Sequence, residues 1–272
     1  MAAIDVLVCG AAGRMGSEVV RAIHGERSRT ISKEEDLSLV GAVDKDNAGK
    51  DVGEVAGIGP LGVSITSDLA SAISSSRPKV MVDFTVPAAV MSNLRLALEN
   101  KVACVVGTTG LAREELDEVA QLCRDHNTPA LVAPNFAIGA VLMMEFAARA
   151  ARFFPRAEII ELHHDKKLDA PSGTALLTAQ KMAHADGCTL EAEPVGETPP
   201  PRGQLVAGKV RIHSVRLPGL VAHQQVVFGG LGQTLTLRHD SLSRESFMPG
   251  VVLAVRQVLS LKGLTIGLEH LL

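Results

Sequence analysis

The 272-residue sequence has no tryptophan, no tyrosine and only seven phenylalanines. Stacking platforms for single-stranded nucleic acid are therefore not expected, and no basic tail points to a phosphate backbone as partner. The formal charge of -3 is close to neutral, so a positive field for an anionic ligand has to be local. No apolar run approaches the ~20 residues that span a bilayer, and no signal peptide opens the chain, so a soluble protein without membrane contact is expected. Cysteine is scarce. Cys9, Cys104, Cys123 and Cys188 form no CxxC pair and no framework spacing, which predicts reduced thiols in a cytoplasmic or equivalent reducing compartment. Cys104 lies in an apolar strand-like run, where a thiol is a small hydrophobe rather than a nucleophile.

Hydrophobic residues make up 46% of the chain, enough for one large domain or two ordinary ones. The run Ile4 to Cys9 ends in Gly10-Ala11-Ala12-Gly13-Arg14-Met15-Gly16, and an amphipathic helix continues through Val19, Val20 and Ile23. Strand, glycine turn and helix in that order suit a dinucleotide: Gly10 for the tight turn, Gly13 for close approach to a pyrophosphate, Gly16 for helix packing on the strand. The middle glycine of the usual fingerprint is Ala12 here. After a polar insertion from Gly25 to Asp36, strand Leu37 to Val43 ends at Asp44 and Lys45. An acid there can hold ribose hydroxyls, and the lysine can meet a 2′-phosphate, so NADPH, alone or alongside NADH, is the expected cofactor.

Strands at 63–65, 80–84, 102–106 and 130–133 alternate with helices at 68–75, 87–99 and 114–124, which predicts a Rossmann-like doubly wound parallel sheet. Ligands of such sheets lie beyond the carboxyl ends of the strands. Those ends are Gly10 to Met15, Asp44-Lys45, Phe84-Thr85, Gly107-Thr108-Thr109 and Pro134-Asn135-Phe136, all small, polar or glycine-rich. A helix from 138 to 151 and a strand at 157–162 follow. Residues 186–208, with Pro199-Pro200-Pro201, suggest a long surface loop. Strand patterns at 210–217, 222–229 and 233–240, joined by Pro218-Gly219 and Gly229-Gly230 turns, predict a second α+β domain with an open mixed sheet. A helix from 245 to 261 is expected to pack back on the first domain. The expected division is 1–134 with 241–272, and 135–240. His213, His223 and His239 read as structural or oligomer-contact residues.

His163-His164-Asp165-Lys166-Lys167 sits between the strand at 157–162 and a Pro171-Ser172-Gly173-Thr174 helix start. Four groups that are or can become cationic lie beside first-turn amides that lack intrahelical acceptors, a combination that favours an anion. Ser172 is the expected N-cap. Neighbouring side chains on a strand point apart, and no further ligand stands at metal spacing, so no metal site is expected.

Five stretches resemble the dihydrodipicolinate (4-hydroxy-tetrahydrodipicolinate) reductases: 10–16, Asp83-Phe84-Thr85, Val106 to Gly110, Pro134-Asn135-Phe136 and Glu161 to Thr174. They span nearly the whole chain in family order, and the last is the most specific. The resemblance implies an NAD(P)H-dependent reduction of a cyclic imine dicarboxylate with loss of water, in lysine biosynthesis through diaminopimelate. It also implies a homotetramer with substrate between domains. It matches cofactor positions to Gly10, Ala11, Ala12, Gly13, Arg14, Met15, Asp44, Lys45, Gly107, Thr108, Thr109, Ala133, Pro134, Asn135 and Phe136. His163 falls at the proton donor, Lys167 at a second acid and carboxylate partner, and His164 with Gly173 and Thr174 at substrate-binding positions. Histidine titrates near pH ~6.5, which suits an acid at neutral pH. Two other readings use the same architecture: a semialdehyde or homoserine dehydrogenase, and a non-catalytic dinucleotide sensor. The twin-histidine run speaks against the first, and the second needs the phosphate turn but no cationic pocket.

Overall fold

Strand β1 (Ile4–Cys9) buries its last four residues completely or nearly so, because it lies between two parallel neighbours and is covered on both faces. The computed structural model describes residues 3–25, 37–193 and 202–272. Residues 26–36 of the polar insertion and 194–201 of the Pro-rich loop lie outside the described residues. The chain divides into two compact units, Met1–Phe136 with Phe247–Leu272, and Ala137–Ser246.

The first unit runs β1, α1 (Arg14–His24), β2 (Leu37–Val43), α2 (Val52–Ala56), β3 (Ile65–Thr66), α3 (Leu69–Ser76), β4 (Val80–Asp83), α4 (Pro87–Glu99), β5 (Ala103–Val106), α5 (Arg113–His126) and β6 (Ala130–Val132). With a short C-terminal strand, β12 (Leu264–Ile266), the sheet order is β12-β6-β5-β4-β1-β2-β3, and all neighbouring strands are parallel. Order reverses between β1 and β4, the topological switch point at which ligands of such sheets bind. Local chemistry starts the helices. Pro87 opens α4, where its missing N–H costs nothing, and Asp68 caps α3 through the Ser71 amide. Cys9, Cys104 and Cys123 are buried and all four cysteines are free.

Three elements of this unit carry no signature in the sequence: α2, β12 and a C-terminal 3-10 turn, Leu268–Leu271. The five-residue helix α2 is nucleated by Asp51, whose carboxylate accepts from the Gly53, Glu54, Leu61 and Gly62 amides. Edge strand β12 (Leu264–Ile266) pairs with β6. The strand expected at 63–65 is reduced to Ile65–Thr66, with Ser64 in a lone bridge to Asp51. The helix expected from 245 to 261 starts as a 3-10 turn, Arg244–Phe247, and becomes α8 over Met248–Val258. It packs on α1, β5 and β6.

In the second unit, α6 (Ile138–Ala150) and α7 (Gly173–Ala183) cover one face of a mixed sheet of order β11-β10-β7-β9-β8. Its strands are β7 (Arg156–His163), β8 (Gln204–Val206), β9 (Val210–Arg216), β10 (Ala222–Gly230) and β11 (Gln233–Ser241). Ala157, Ile159, Ile212, Val226 and Phe228 form a core with Met143, Ala147, Ala179 and Met182. The Pro218-Gly219 turn does not join neighbouring strands: β9 and β10 flank β7, parallel on one side and antiparallel on the other. Gly229 and Gly230 belong to β10, so the hairpin to β11 turns at Leu231-Gly232.

At Gly16 an added Cβ would lie 2.0 Å from the Gly10 carbonyl oxygen and 2.9 Å from the Ala11 Cα, both backbone. Neither can give way cheaply, so Gly16→Ala is expected to destabilise the protein by about 1–3 kcal/mol in chemical denaturation. A loss within the scatter of a surface substitution would show that α1 does not need to pack so closely on β1.

Candidate active site

At the carboxyl edge of the seven-stranded sheet, Gly10 adopts φ 77°, and a Cβ there would lie 2.5 Å from the Phe84 carbonyl oxygen. The Gly10 and Ala11 amides bond to the Val43 carbonyl, which fastens the glycine turn to the end of β2. Gly13 caps α1, so the exposed Gly13 and Arg14 stand at a helix N-terminus, where an anion is favoured. The Asp44 carboxylate accepts from the Ala12 amide at 2.9 Å and from the Asp46 amide at 3.0 Å. It is thereby held against the turn, with exposed Lys45 beside it.

Asp83, at the end of β4, is completely buried. Its carboxylate accepts from the Thr85 amide and hydroxyl, the Asn93 amide and the Thr108 hydroxyl, at 2.7 to 3.0 Å. Asp83 lies in the Asp83-Phe84-Thr85 stretch, whose local sequence carries no sign of this role. The bond to Thr108 ties the loop after β5 to the end of β4. A Cβ on Gly107 would fall 2.0 Å from the Phe84 ring, whose other neighbour is Phe136 at 5.7 Å between centroids. The expected cofactor positions in 10–15, 44–45, 107–109 and 133–136 all lie at the ends of β1, β2, β5 and β6. A glycine cradle closed to side chains, a helix start and an acid at the end of β2 fit a dinucleotide.

In the second unit, strand alternation turns Ala157, Ile159 and Glu161 toward α6 and α7. Glu161 is 0% exposed, and a buried carboxylate needs donors. Its Oε2 faces His163 Nδ1 at 2.5 Å and accepts from Arg216 Nη1 at 3.0 Å. Its Oε1 accepts from Arg216 Nη2 at 2.8 Å and from the Ser172 amide at 3.3 Å. Burial alone would raise the Glu161 carboxyl, but hydrogen bonds from His163, Arg216 and Ser214 outweigh it and hold the group down at about 2. Arg216 also donates to the Asp169 carbonyl at 2.7 Å, anchoring the approach to α7. Glu161 and Arg216 are absent from the site expected from sequence. The signal for Glu161 was available as a carboxylate on the inward parity of an apolar strand; its partner lies 55 residues away.

His163 is the last residue of β7, and Gly173 and Thr174 are the first two of α7, as expected. Ser172 caps the helix by accepting from the Ala175 amide at 3.2 Å. Gly173 is exposed, and a Cβ on it would meet nothing within 4 Å, so packing does not demand glycine there. The basic run is less uniformly positive than its composition suggests. Lys167 Nζ reaches both oxygens of Asp169 at 2.7 and 2.8 Å, and this contact holds the Asp169 carboxyl below its ordinary value. Asp165 and Lys166 are exposed, and His164 is half-buried. Among the described residues no His, Cys, Asp and Glu cluster could hold a metal ion. Burial pushes the Cys9 and Cys104 thiols well up and Cys123 to about 11, as befits core residues rather than nucleophiles. His213 and His223 contact Glu158 and Asp240, both at 2.7 Å.

A carboxyl at about 2 in the folded protein against its ordinary 4.5 contributes stability that is present above pH 4.5 and lost as pH falls toward 2. The contribution is on the order of 3 kcal/mol at neutral pH. The stability difference between the wild type and Glu161→Gln is therefore expected to shrink across that window in pH-resolved denaturation. A difference independent of pH would mean that Glu161 is not held as a buried anion.

The family model described as dihydrodipicolinate reductase, N-terminus, matches residues 4–136, and the one described as dihydrodipicolinate reductase, C-terminus, matches residues 139–272. A 4-hydroxy-tetrahydrodipicolinate reductase of Moorella thermoacetica is 54% identical over 100% of this chain and 99% of its own length. One from Desulfitobacterium hafniense is 50% identical over 100% of both. Among solved structures, a dipicolinate-bound dihydrodipicolinate reductase from Paenisporosarcina sp. TG-14 aligns with a TM-score of 0.83 at 43% identity, covering 99% of this chain and 100% of that one. The two matched halves together run through both units described above, and the chain belongs to the dihydrodipicolinate reductase family.

Proposed function

We propose that the chain catalyses the NAD(P)H-dependent reduction of 4-hydroxy-tetrahydrodipicolinate to tetrahydrodipicolinate, with loss of water, in lysine biosynthesis through diaminopimelate. The observation that carries this reading is the His163 imidazole, anchored by a buried carboxylate at a strand end and followed at once by a capped helix start. Full-length relatives that bear the reductase name support it.

Substrate carboxylates are bound by the Gly173 and Thr174 backbone at the start of α7, by His164 and by the ammonium of Lys167. Lys167 is presented by its contact with Asp169, which a substrate carboxylate shares or displaces. His163 delivers a proton to C3 of the substrate ring, the carbon next to the one that is reduced. A reduced nicotinamide, when bound, supplies the hydride. The glycine turn 10–15 and loops 107–109 and 133–136 hold the dinucleotide. Asp44 takes ribose hydroxyls, and Lys45 accommodates a 2′-phosphate, so NADPH is accepted, alone or alongside NADH. The first unit serves as the dinucleotide domain and the second as the substrate and oligomerisation domain. The sheet face opposite α6 and α7 carries Ile160, Val227, Glu158 and His213, and offers a surface for a homotetramer. The reducing cytoplasm suits the free thiols.

The direct test is absorbance loss of NADPH with aspartate semialdehyde, pyruvate and a condensing synthase, against the same mixture without this protein; equal rates would end the proposal. His163→Gln is expected to lower kcat by ~10²–10⁴-fold with little change in KM, whereas Lys167→Ala harms both, since it removes charge from the bound state too. Near-normal turnover of the His163 variant would remove that residue from the acid role. Asp44→Ala should weaken NADH more than NADPH, and Lys45→Ala the reverse. Equal losses in titrations with the two cofactors would show that the pair does not discriminate.

A further inference from the structure

We propose that Glu161, clamped by Arg216, is the positioning residue of the acid step: it keeps a hydrogen on Nδ1 of His163, so that Nε2 is the nitrogen that gives its proton to the substrate. The proposal rests on reading His163 as the proton donor and goes beyond it by assigning the reacting atom.

An ionised carboxylate only accepts hydrogen bonds. The 2.5 Å contact between Glu161 Oε2 and His163 Nδ1 therefore requires the hydrogen to sit on Nδ1. Arg216 approaches both carboxylate oxygens with two donors, at 3.0 and 2.8 Å. This fork fixes the plane of the carboxylate and competes for the lone pairs that would otherwise draw the Nδ1 proton across. Buried ion pairs are poor sources of net stability compared with apolar packing, so a chain that needed only a stable sheet had a cheaper solution at this position.

The surroundings leave this assignment to one carboxylate. β9 contributes Arg216 and Ser214, β10 contributes uncharged Gln224 as the register partner of Glu161, and the approach to α7 contributes Asp169, whose side chain is paired with Lys167. In the acid step the Nε2–H bond breaks, a C–H bond forms at the substrate carbon, and the imidazolium becomes neutral imidazole with its hydrogen on Nδ1. The freed Nε2 lone pair then takes a proton from solvent, which restores the acid.

Nitrogen NMR of the protein grown with ¹⁵N-labelled histidine, with His163→Gln to assign the ring, is expected to place the hydrogen of neutral His163 on Nδ1. A hydrogen on Nε2 in the wild type overturns the proposal whether or not the Glu161 and Arg216 variants fold. Glu161→Gln is expected to lower kcat roughly 100-fold while KM stays within about 3-fold. In the His163→Gln background the same change should have no further effect on kcat, because residues that act as a unit are not additive. An unchanged kcat, or an equal loss in both backgrounds, contradicts the positioning role. Full turnover by His163→Gln would instead remove the proton-donor reading itself, so the two failures are distinguishable. Arg216→Lys, which keeps the charge and loses the fork, should lower kcat roughly 10-fold at similar KM; wild-type kcat in that variant would count against the clamp.

Discussion

A carboxylate with no access to water has to find donors within the protein, and the donors it finds decide which parts of the chain are held together. Glu161 draws its own from the end of its strand, from β9 and from the cap of α7. Strand end, neighbouring strand and helix start are therefore fixed to one another through a single side chain. His163 and the Gly173-Thr174 amides inherit their arrangement from that requirement. The chemistry assigned to this region is a consequence of satisfying one buried charge.

The first unit uses the same device. Asp83 closes the end of β4 with four donors from β4's own loop, α4 and the loop after β5. Around it, glycines at 10, 16 and 107 leave no room for a side chain, so backbone rather than side chains forms the rim. Parallel strands buried on both faces provide a rigid platform, and sheets of this kind bind their ligands at the carboxyl edge. Asp44 at the end of β2 is held by an amide of the glycine turn, so under the proposed assignment the ribose and phosphate contacts fall within a few residues of each other.

The strands of the first unit were readable because double-sided burial writes them as continuous apolar runs, and helix starts such as Pro87 and Ser172 carry their own local chemistry. What was not readable is short or non-local. The three residues of β12 are too few to show a period, and α2 exists because Asp51 gathers amides from its first turn and from the loop beyond it. The insertion of β7 between β9 and β10 depends on pairing across more than fifty residues, so a Pro-Gly turn looked like a hairpin. In the site, the histidines, Lys167 and the helix start stood out as a contiguous run. Glu161 did not, since it reads as one more strand residue until its inward parity is noticed, and Arg216 had no local mark. The pairing of Lys167 with Asp169 is a matter of loop geometry and leaves no mark in the run itself.

Under the proposed function, the basic strand end and the start of α7 together hold a small dicarboxylate. A crystal of this protein grown with a planar dicarboxylic mimic such as dipicolinate tests it most directly. The account requires the carboxylates to lie at roughly 3 Å from the Gly173 and Thr174 amides and from His164 or Lys167. A mimic bound with no contact to those groups would contradict it.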